Sequence, residues 1–109
     1  MADASDEPEA VSVVIPTFNR RNSLRRVIES VLVDPAAAEV VVAVDGSTDG
    51  SIELLEHLSR SQPRIKPLFV EHRGLNAAVQ AGVERATSDV VLILDDDLEA
   101  TPGLVAAHA

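Results

Sequence analysis

The chemistry this chain is equipped for is concentrated in Asp95-Asp96-Asp97, three consecutive carboxylates that follow the apolar run Val90-Val91-Leu92-Ile93-Leu94. Like charges so close together repel, and they are tolerated where a cation or hydrogen-bond donors answer them. A divalent metal is one such answer. Mg²⁺ is commonly held by one or two protein carboxylates, with phosphate oxygens and water completing its shell. The apolar run is mostly β-branched and reads as a strand buried on both faces. The pattern therefore points to a metal–phosphate site at the carboxyl end of a strand. For an isolated run of aspartates a solvated acidic turn is the plainer reading, so the rest of the chain decides.

Two other polar clusters follow apolar runs. Pro16-Thr17-Phe18-Asn19 closes Val11–Ile15, and Asp45-Gly46-Ser47-Thr48-Asp49-Gly50, a cluster rich in turn and cap residues, closes Glu39–Val44. Between the strand-like runs lie helical patterns. Leu24, Val27, Ile28, Val31 and Leu32 share one helical face, with Asn22 or Ser23 as its expected cap. A second helix is expected from about Ser51 to Ser61, burying Ile52, Leu55 and Leu58. Ile65–Glu71 reads as a third strand, and Pro67 marks it as an edge strand. Leu75, Ala78, Val79, Gly82, Val83 and Ala86 form the cleanest helical face, and Thr101-Pro102 is expected to open a last helix.

Alternation of the form β-α-β-α-β-α-β implies an α/β fold with a parallel sheet and right-handed crossovers. With strand order 3-2-1-4 the winding reverses between the first and fourth strands, and ligands bind outside the carboxyl ends of the strands at such a switch. Pro16–Asn19 and Asp95–Asp97 would then emerge side by side there, with Asp45 on the neighbouring strand.

The bulk composition narrows the partners. A chain of 109 residues suffices for one small domain. Residues 1–10, with Asp3, Asp6, Glu7 and Glu9, read as a disordered acidic leader, and 11–109 as the domain. Net charge of −9 and 2% aromatic content argue against nucleic acid as a partner. No cysteine is present, which excludes disulfides and thiolate metal sites. No apolar run approaches the roughly 20 residues of a membrane span. The expected location is the cytoplasm.

The same motifs carry a family resemblance. Val11-Ser12-Val13-Val14-Ile15-Pro16-Thr17-Phe18-Asn19-Arg20 resembles the opening strand and loop of family 2 glycosyltransferases of GT-A fold. Val44-Asp45-Gly46-Ser47-Thr48-Asp49-Gly50-Ser51 is similar to their second-strand motif, and Gly74-Leu75-Asn76-Ala77-Ala78-Val79-Gln80-Ala81-Gly82 to their alanine-rich helix. Leu94-Asp95-Asp96-Asp97 with Pro102 resembles the DxD motif and the helix after it.

This resemblance implies a Rossmann-like, three-layer α/β/α half of a GT-A fold. Its substrate would be a nucleotide-diphosphate sugar and its cofactor Mg²⁺ or Mn²⁺; the acceptor is open. Pro16 and Thr17 would line the nucleotide pocket. Asp45 would accept a hydrogen bond from the base or ribose, with turn or cap duty as the competing role. Arg73 would face the base or diphosphate, and Asp95 the ribose or the metal. Asp97 would coordinate the metal. Asp96 belongs to the nucleotide-sugar group by position, although alternation in extended chain turns it away from its two neighbours. Ser47, Thr48 and Asp49 are assigned to turns and caps.

Departures from the family pattern are specific. A single Asp45 follows Val44 where many relatives carry two acids, Gln80 stands where Asn is frequent, and Leu98 replaces an acid. The resemblance implies that family members continue for about as many residues again, or more, in a region that binds the acceptor and supplies the catalytic base. His57, His72 and His108 read as surface residues and poor replacements for that base. The chain is thus expected to be the donor-binding half of a transferase that inverts configuration.

Two other classes compete. A non-catalytic nucleotide-binding or scaffold module would keep the half-fold without turnover, and its exposed sheet edge would favour self-association. Aspartate-dependent phosphoryl transfer also uses a D-x-D after a strand, but places it near the chain start and follows it with Thr or Val where Glu99 stands. A dinucleotide-binding unit needs a glycine-rich first turn, and Pro16–Arg21 contains no glycine.

Overall fold

The computed structural model describes residues 10–71 and 73–107. Positions 1–9 of the expected leader 1–10, and His72, His108 and Ala109, lie outside the described residues. Four parallel strands, β1 (Val11–Thr17), β2 (Ala37–Asp45), β3 (Ile65–Val70) and β4 (Val90–Ile93), form one sheet in the order β3-β2-β1-β4. The helices between them are α1 (Arg21–Leu32), α2 (Ser51–Ser61) and α3 (Leu75–Arg85), and α4 (Leu104–Ala107) follows β4. The strand order is the one expected from the alternation.

Side-chain alternation assigns the layers. Val11, Val13 and Ile15 of β1 and Val40, Val42 and Val44 of β2 share one core with Leu24, Val27, Ile28 and Val31 of α1 and Leu55 and Leu58 of α2. Each such fully buried Val, Leu or Ile contributes roughly 1.5–3 kcal/mol of transfer free energy. The even-numbered β1 residues face α3 on the other side. There a Cβ built on Gly82 would lie 2.4 Å from Val14 Cγ1, so α3 rests directly on the central strand. A right-handed crossover from β3 to β4 must pass over β2 and β1 on the face opposite α1 and α2, and α3 packs on those two strands.

Several boundaries differ from the sequence reading. β1 runs through Pro16 to Thr17, and β2 extends at both ends. α1 begins at Arg21, and neither Asn22 nor Ser23 caps it. α4 begins only at Leu104, with Pro102 in the turn ahead of it. β4 is half-buried rather than enclosed on both faces, because it is an edge of this four-stranded sheet; Ile93 is 47% exposed. On α3 only Ala78 and Gly82 are buried, and Leu75 and Val83 face out, since that layer holds a single helix. Pro67 lies on an edge strand, as its missing donor requires.

The amino end of the sheet is closed by a buried carboxylate. Glu39 Oε2 accepts hydrogen bonds from Ser12 Oγ at 2.6 Å, Thr87 N–H at 2.6 Å and Thr87 Oγ1 at 3.0 Å. Ser12 Oγ in turn accepts from Ser88 N–H at 3.0 Å. Burial alone pushes the Glu39 pKa upward, but these donors, with Lys66 nearby, together hold it below its ordinary value. Nearby, the Arg64 guanidinium donates to the carbonyls of Leu32 at 2.5 Å and Ala37 at 2.8 Å, closing the end of α1 onto β2.

Candidate functional site

The carboxyl ends of β1 and β4 separate where the winding reverses. Leu94 N–H donates to Val14 O at 2.9 Å, so the even-numbered residues of β1 aim their backbone groups at β4. Pro16 is the next of them and has no N–H to offer. The β1–β4 pairing ends at Val14 and Ile93, and Pro16 continues in register with Ala43 of β2 only. Beyond that point the gap is closed by side chains. Thr17 is fully buried, and its Oγ1 donates to Asp96 Oδ2 at 2.9 Å. Arg20 Nε lies 3.7 Å from Asp96 Oδ1. The segment after β4 is tied to α1 as well: Ser23 Oγ donates to Asp96 O at 3.0 Å and Ala100 N–H to Ser30 Oγ at 2.8 Å.

Burial raises the Asp96 pKa above the usual carboxylate value. The Asp97 charge adds to this, and the Thr17 hydroxyl and Arg20 oppose it. Asp95 and Asp97 are both exposed. Asp96 and Asp97 lie in a turn in which Leu98 N–H donates to Asp95 O at 3.4 Å, so the alternation of extended chain does not run through the three aspartates. Asp96 turns to the pocket side, which corrects the expectation that it points away.

Asp45, 1% exposed at the end of β2, accepts Arg73 N–H at 2.9 Å on Oδ1 and Gly74 N–H at 3.2 Å on Oδ2. Its carboxylate therefore fixes the loop leading into α3. Gly74 sits at φ +99°, a conformation that side-chain-bearing residues rarely adopt.

The β1–α1 and β2–α2 loops are joined reciprocally. Asn19 N–H donates to Ser47 Oγ at 2.9 Å, and Thr48 N–H to Asn19 Oδ1 at 2.7 Å. Asn19 adopts φ 52°, a left-handed conformation that Asn tolerates. Asp49 supplies the helix start that Asn22 and Ser23 do not. Its Oδ2 accepts Arg21 N–H at 3.0 Å, at the start of α1, and its Oδ1 accepts Ser51 N–H at 3.1 Å, at the start of α2. Burial pushes its pKa upward, but these bonds and the Ser51 hydroxyl outweigh that and bring it below the ordinary value.

A pocket of about 250 Å³ lies between these loops, lined by Phe18, Arg20, Asp45, Gly74, Leu75 and Asp96. It unites Asp45 with Asp96, as the switch-point argument anticipates. Pro16 is buried in β1 and does not line it. The Arg73 guanidinium pairs with Glu71 at 3.2 Å and lines a neighbouring pocket with Val70, Ala77 and Ala81. Arg20 and Leu75 were not singled out by sequence. The available signal for Arg20 was its place directly after Asn19 in the switch-point loop. Leu75 belongs to the helical face expected to be buried, yet it is exposed and lines the pocket. His57 is exposed on α2.

Among the described residues no three His, Asp or Glu side chains converge on a point. Asp95 and Asp97 carry exposed carboxylates, engaged by no hydrogen bond or ion pair among the described residues. Two hard oxygen donors without a closed cage fit Mg²⁺ or Mn²⁺ whose remaining ligands come from phosphate and water.

A family model described as glycosyl transferase family 2 matches residues 12–108. The chain belongs to this family. An uncharacterized glycosyltransferase of Nostoc sp. is 39% identical over 89 residues, which is 80% of this chain and 28% of that protein. Among solved structures, the mannosyltransferase PcManGT of Pyrobaculum calidifontis, in complex with GDP-Man and Mn²⁺, aligns with TM-score 0.75 and 27% identity over 89% of this chain and 30% of its own. TarS of S. aureus (residues 1–349) aligns with TM-score 0.79 at 22% identity, covering 90% of this chain and 30% of that one, a likeness of fold. The chain thus spans about 30% of the length of these proteins. The fold is the α/β architecture of the GT-A glycosyltransferases, and no helix among the described residues is long and apolar enough to cross a membrane.

Proposed function

We propose that this chain is the donor-binding portion of a glycosyltransferase that moves a sugar from a nucleotide-diphosphate sugar to an acceptor hydroxyl, with metal assistance and inversion. One observation carries the reading. At the switch point Asp45 and Asp96, the latter held by Thr17, line one pocket, while Asp95 and Asp97, in the same chain segment as Asp96, carry exposed carboxylates. Family membership and the GDP-Man and Mn²⁺ named for the P. calidifontis neighbour support it.

On this reading Asp97, with Asp95, holds Mg²⁺ or Mn²⁺, which supplies charge neutralisation for the departing diphosphate. Asp45 keeps the β3–α3 loop against the pocket, at the wall that would face the base or ribose. Thr17 orients Asp96 at the pocket wall. Inversion needs a general base for the acceptor hydroxyl. The pocket carboxylates Asp45 and Asp96 are engaged by the loop amides and by Thr17 and Arg20, so on this reading the base belongs to the part of the relatives that this chain does not span.

The test is calorimetric titration of UDP and GDP, with and without Mn²⁺, against the chain and Asp97→Asn. Metal-dependent binding that the variant loses is the expected result. A folded chain that binds neither nucleotide would sink the reading.

A further inference from the structure

We propose that Arg20, rather than Arg73, is the guanidinium that receives the donor's diphosphate, and that Asp96 holds it at the pocket until the donor arrives. This rests on the donor-binding reading above and adds a binding residue to it.

The argument begins with charge. The pocket wall carries Asp45 and Asp96, and Asp95 and Asp97 adjoin Asp96 in the chain. A nucleoside diphosphate brings further negative charge into this acidic rim. A second cation besides any metal would offset that repulsion, and guanidinium groups match phosphate oxygens in a bidentate manner. The chain has nine Lys and Arg residues against eighteen acids, so few are placed to do this.

Two arginines stand near. Arg73 contributes its backbone N–H to Asp45, but its side chain turns to Glu71 and lines the neighbouring pocket. Arg20 lines the Asp45–Asp96 pocket itself. Its side chain is 56% exposed and joined to Asp96 at 3.7 Å, longer than a well-formed charge-assisted hydrogen bond. Only the Arg20 end of this pair is exposed, while Asp96, 14% exposed, keeps the Thr17 hydroxyl as a partner when the guanidinium turns to phosphate oxygens. The backbone of Arg20, by contrast, is fixed: its carbonyl accepts Leu24 N–H at 2.9 Å in the first turn of α1. A rigid base and an exchangeable head suit a residue that changes partners on binding.

The test titrates UDP and GDP with Mn²⁺ into the chain and into Arg20→Ala, Arg20→Lys and Arg73→Ala, at low and high salt. Melting curves confirm folding, which a half-exposed side chain should not compromise. We expect Arg20→Ala to weaken nucleotide binding roughly tenfold at low salt. The deficit should shrink as salt rises, Arg20→Lys should recover most of it, and Arg73→Ala should change affinity less. Unchanged affinity in Arg20→Ala would overturn the proposal. So would a loss equal at every salt and not recovered by lysine, because that would mean Arg20 acts through loop shape. A larger loss in Arg73→Ala would overturn it too. Binding of neither nucleotide by the unaltered, folded chain would remove the donor-binding reading and this inference together.

Discussion

Thr17 Oγ1 and Asp96 Oδ2 meet at 2.9 Å across 79 positions of sequence, joining the ends of β1 and β4 beyond the last backbone pair of their ladder. Thr17→Val keeps the shape and removes the donor. A half-buried carboxylate then loses its best partner, and stability should fall by about 1 kcal/mol. NMR titration of Asp96 should show its pKa rising further in the variant, since the Thr17 bond is one of the influences that lower it. An unchanged Asp96 titration would show that the bond is not made in solution.

The two buried-end carboxylates should respond oppositely to pH. Glu39 has a folded pKa below its ordinary 4.5, so its contribution to stability is present above that value and is lost as pH falls through the depressed one. Asp96 has a folded pKa above its ordinary 3.8. Its favourable contribution is present below 3.8 and is lost as pH rises through the raised value. In urea melts, Glu39→Gln should cost about 1–3 kcal/mol at pH 7, and the difference should narrow toward pH 3. Asp96→Asn should instead gain stability relative to the parent chain as pH rises from 3 to 7.

Asp49 should matter to two helices at once. Asp49→Ala leaves the first amides of both α1 and α2 without their side-chain acceptor, and one lost cap typically costs about 1 kcal/mol. A loss nearer 2 kcal/mol by thermal melting is expected, and Asp49→Asn should restore part of it. If Asn22→Ala and Ser23→Ala together cost more than Asp49→Ala, the capping assignment is wrong.

Gly82→Ala should be destabilising despite the higher helix propensity of alanine. The added methyl would meet Val14 Cγ1 at 2.4 Å, inside a buried contact that must shift. Overpacking of this kind costs roughly 1–3 kcal/mol. Combining it with Val14→Ala should recover much of the melting temperature, since that change removes the opposing methyl groups.

Much of this architecture is legible in the sequence because hydrophobic periods and turn residues agree along the chain. The strand order and the convergence of Pro16–Asn19, Asp45 and Asp95–Asp97 on one rim follow from alternation and handedness. What local pattern does not carry is partnership at long range. Asn22 and Ser23 look like caps by position, yet the acceptor for α1 comes from Asp49 in another loop. Leu75 and Val83 fall on an apolar helical stripe, but among the described residues α3 packs on the sheet with no second helix covering that side of the stripe. Val90–Leu94 reads as an enclosed strand for the same reason: composition reports apolarity, and the number of neighbours comes from topology. Asp96 reaches the pocket because the chain turns at Asp96 and Asp97 instead of continuing extended, and the period-2 pattern of the strand before it does not announce that turn.

Glu39 and Ser12 lie at the opposite end of the sheet from the pocket, yet they act as its datum. Ser12 and Glu39 are register partners, so their bond pins β1 against β2. Thr17 stands five residues further on, about 16 Å along the strand. A slip of one residue would shift Thr17 by roughly 3.3 Å and turn it to the other face. The height of the pocket floor is therefore gauged from the far end of the sheet as well as from the bonds among the rim loops.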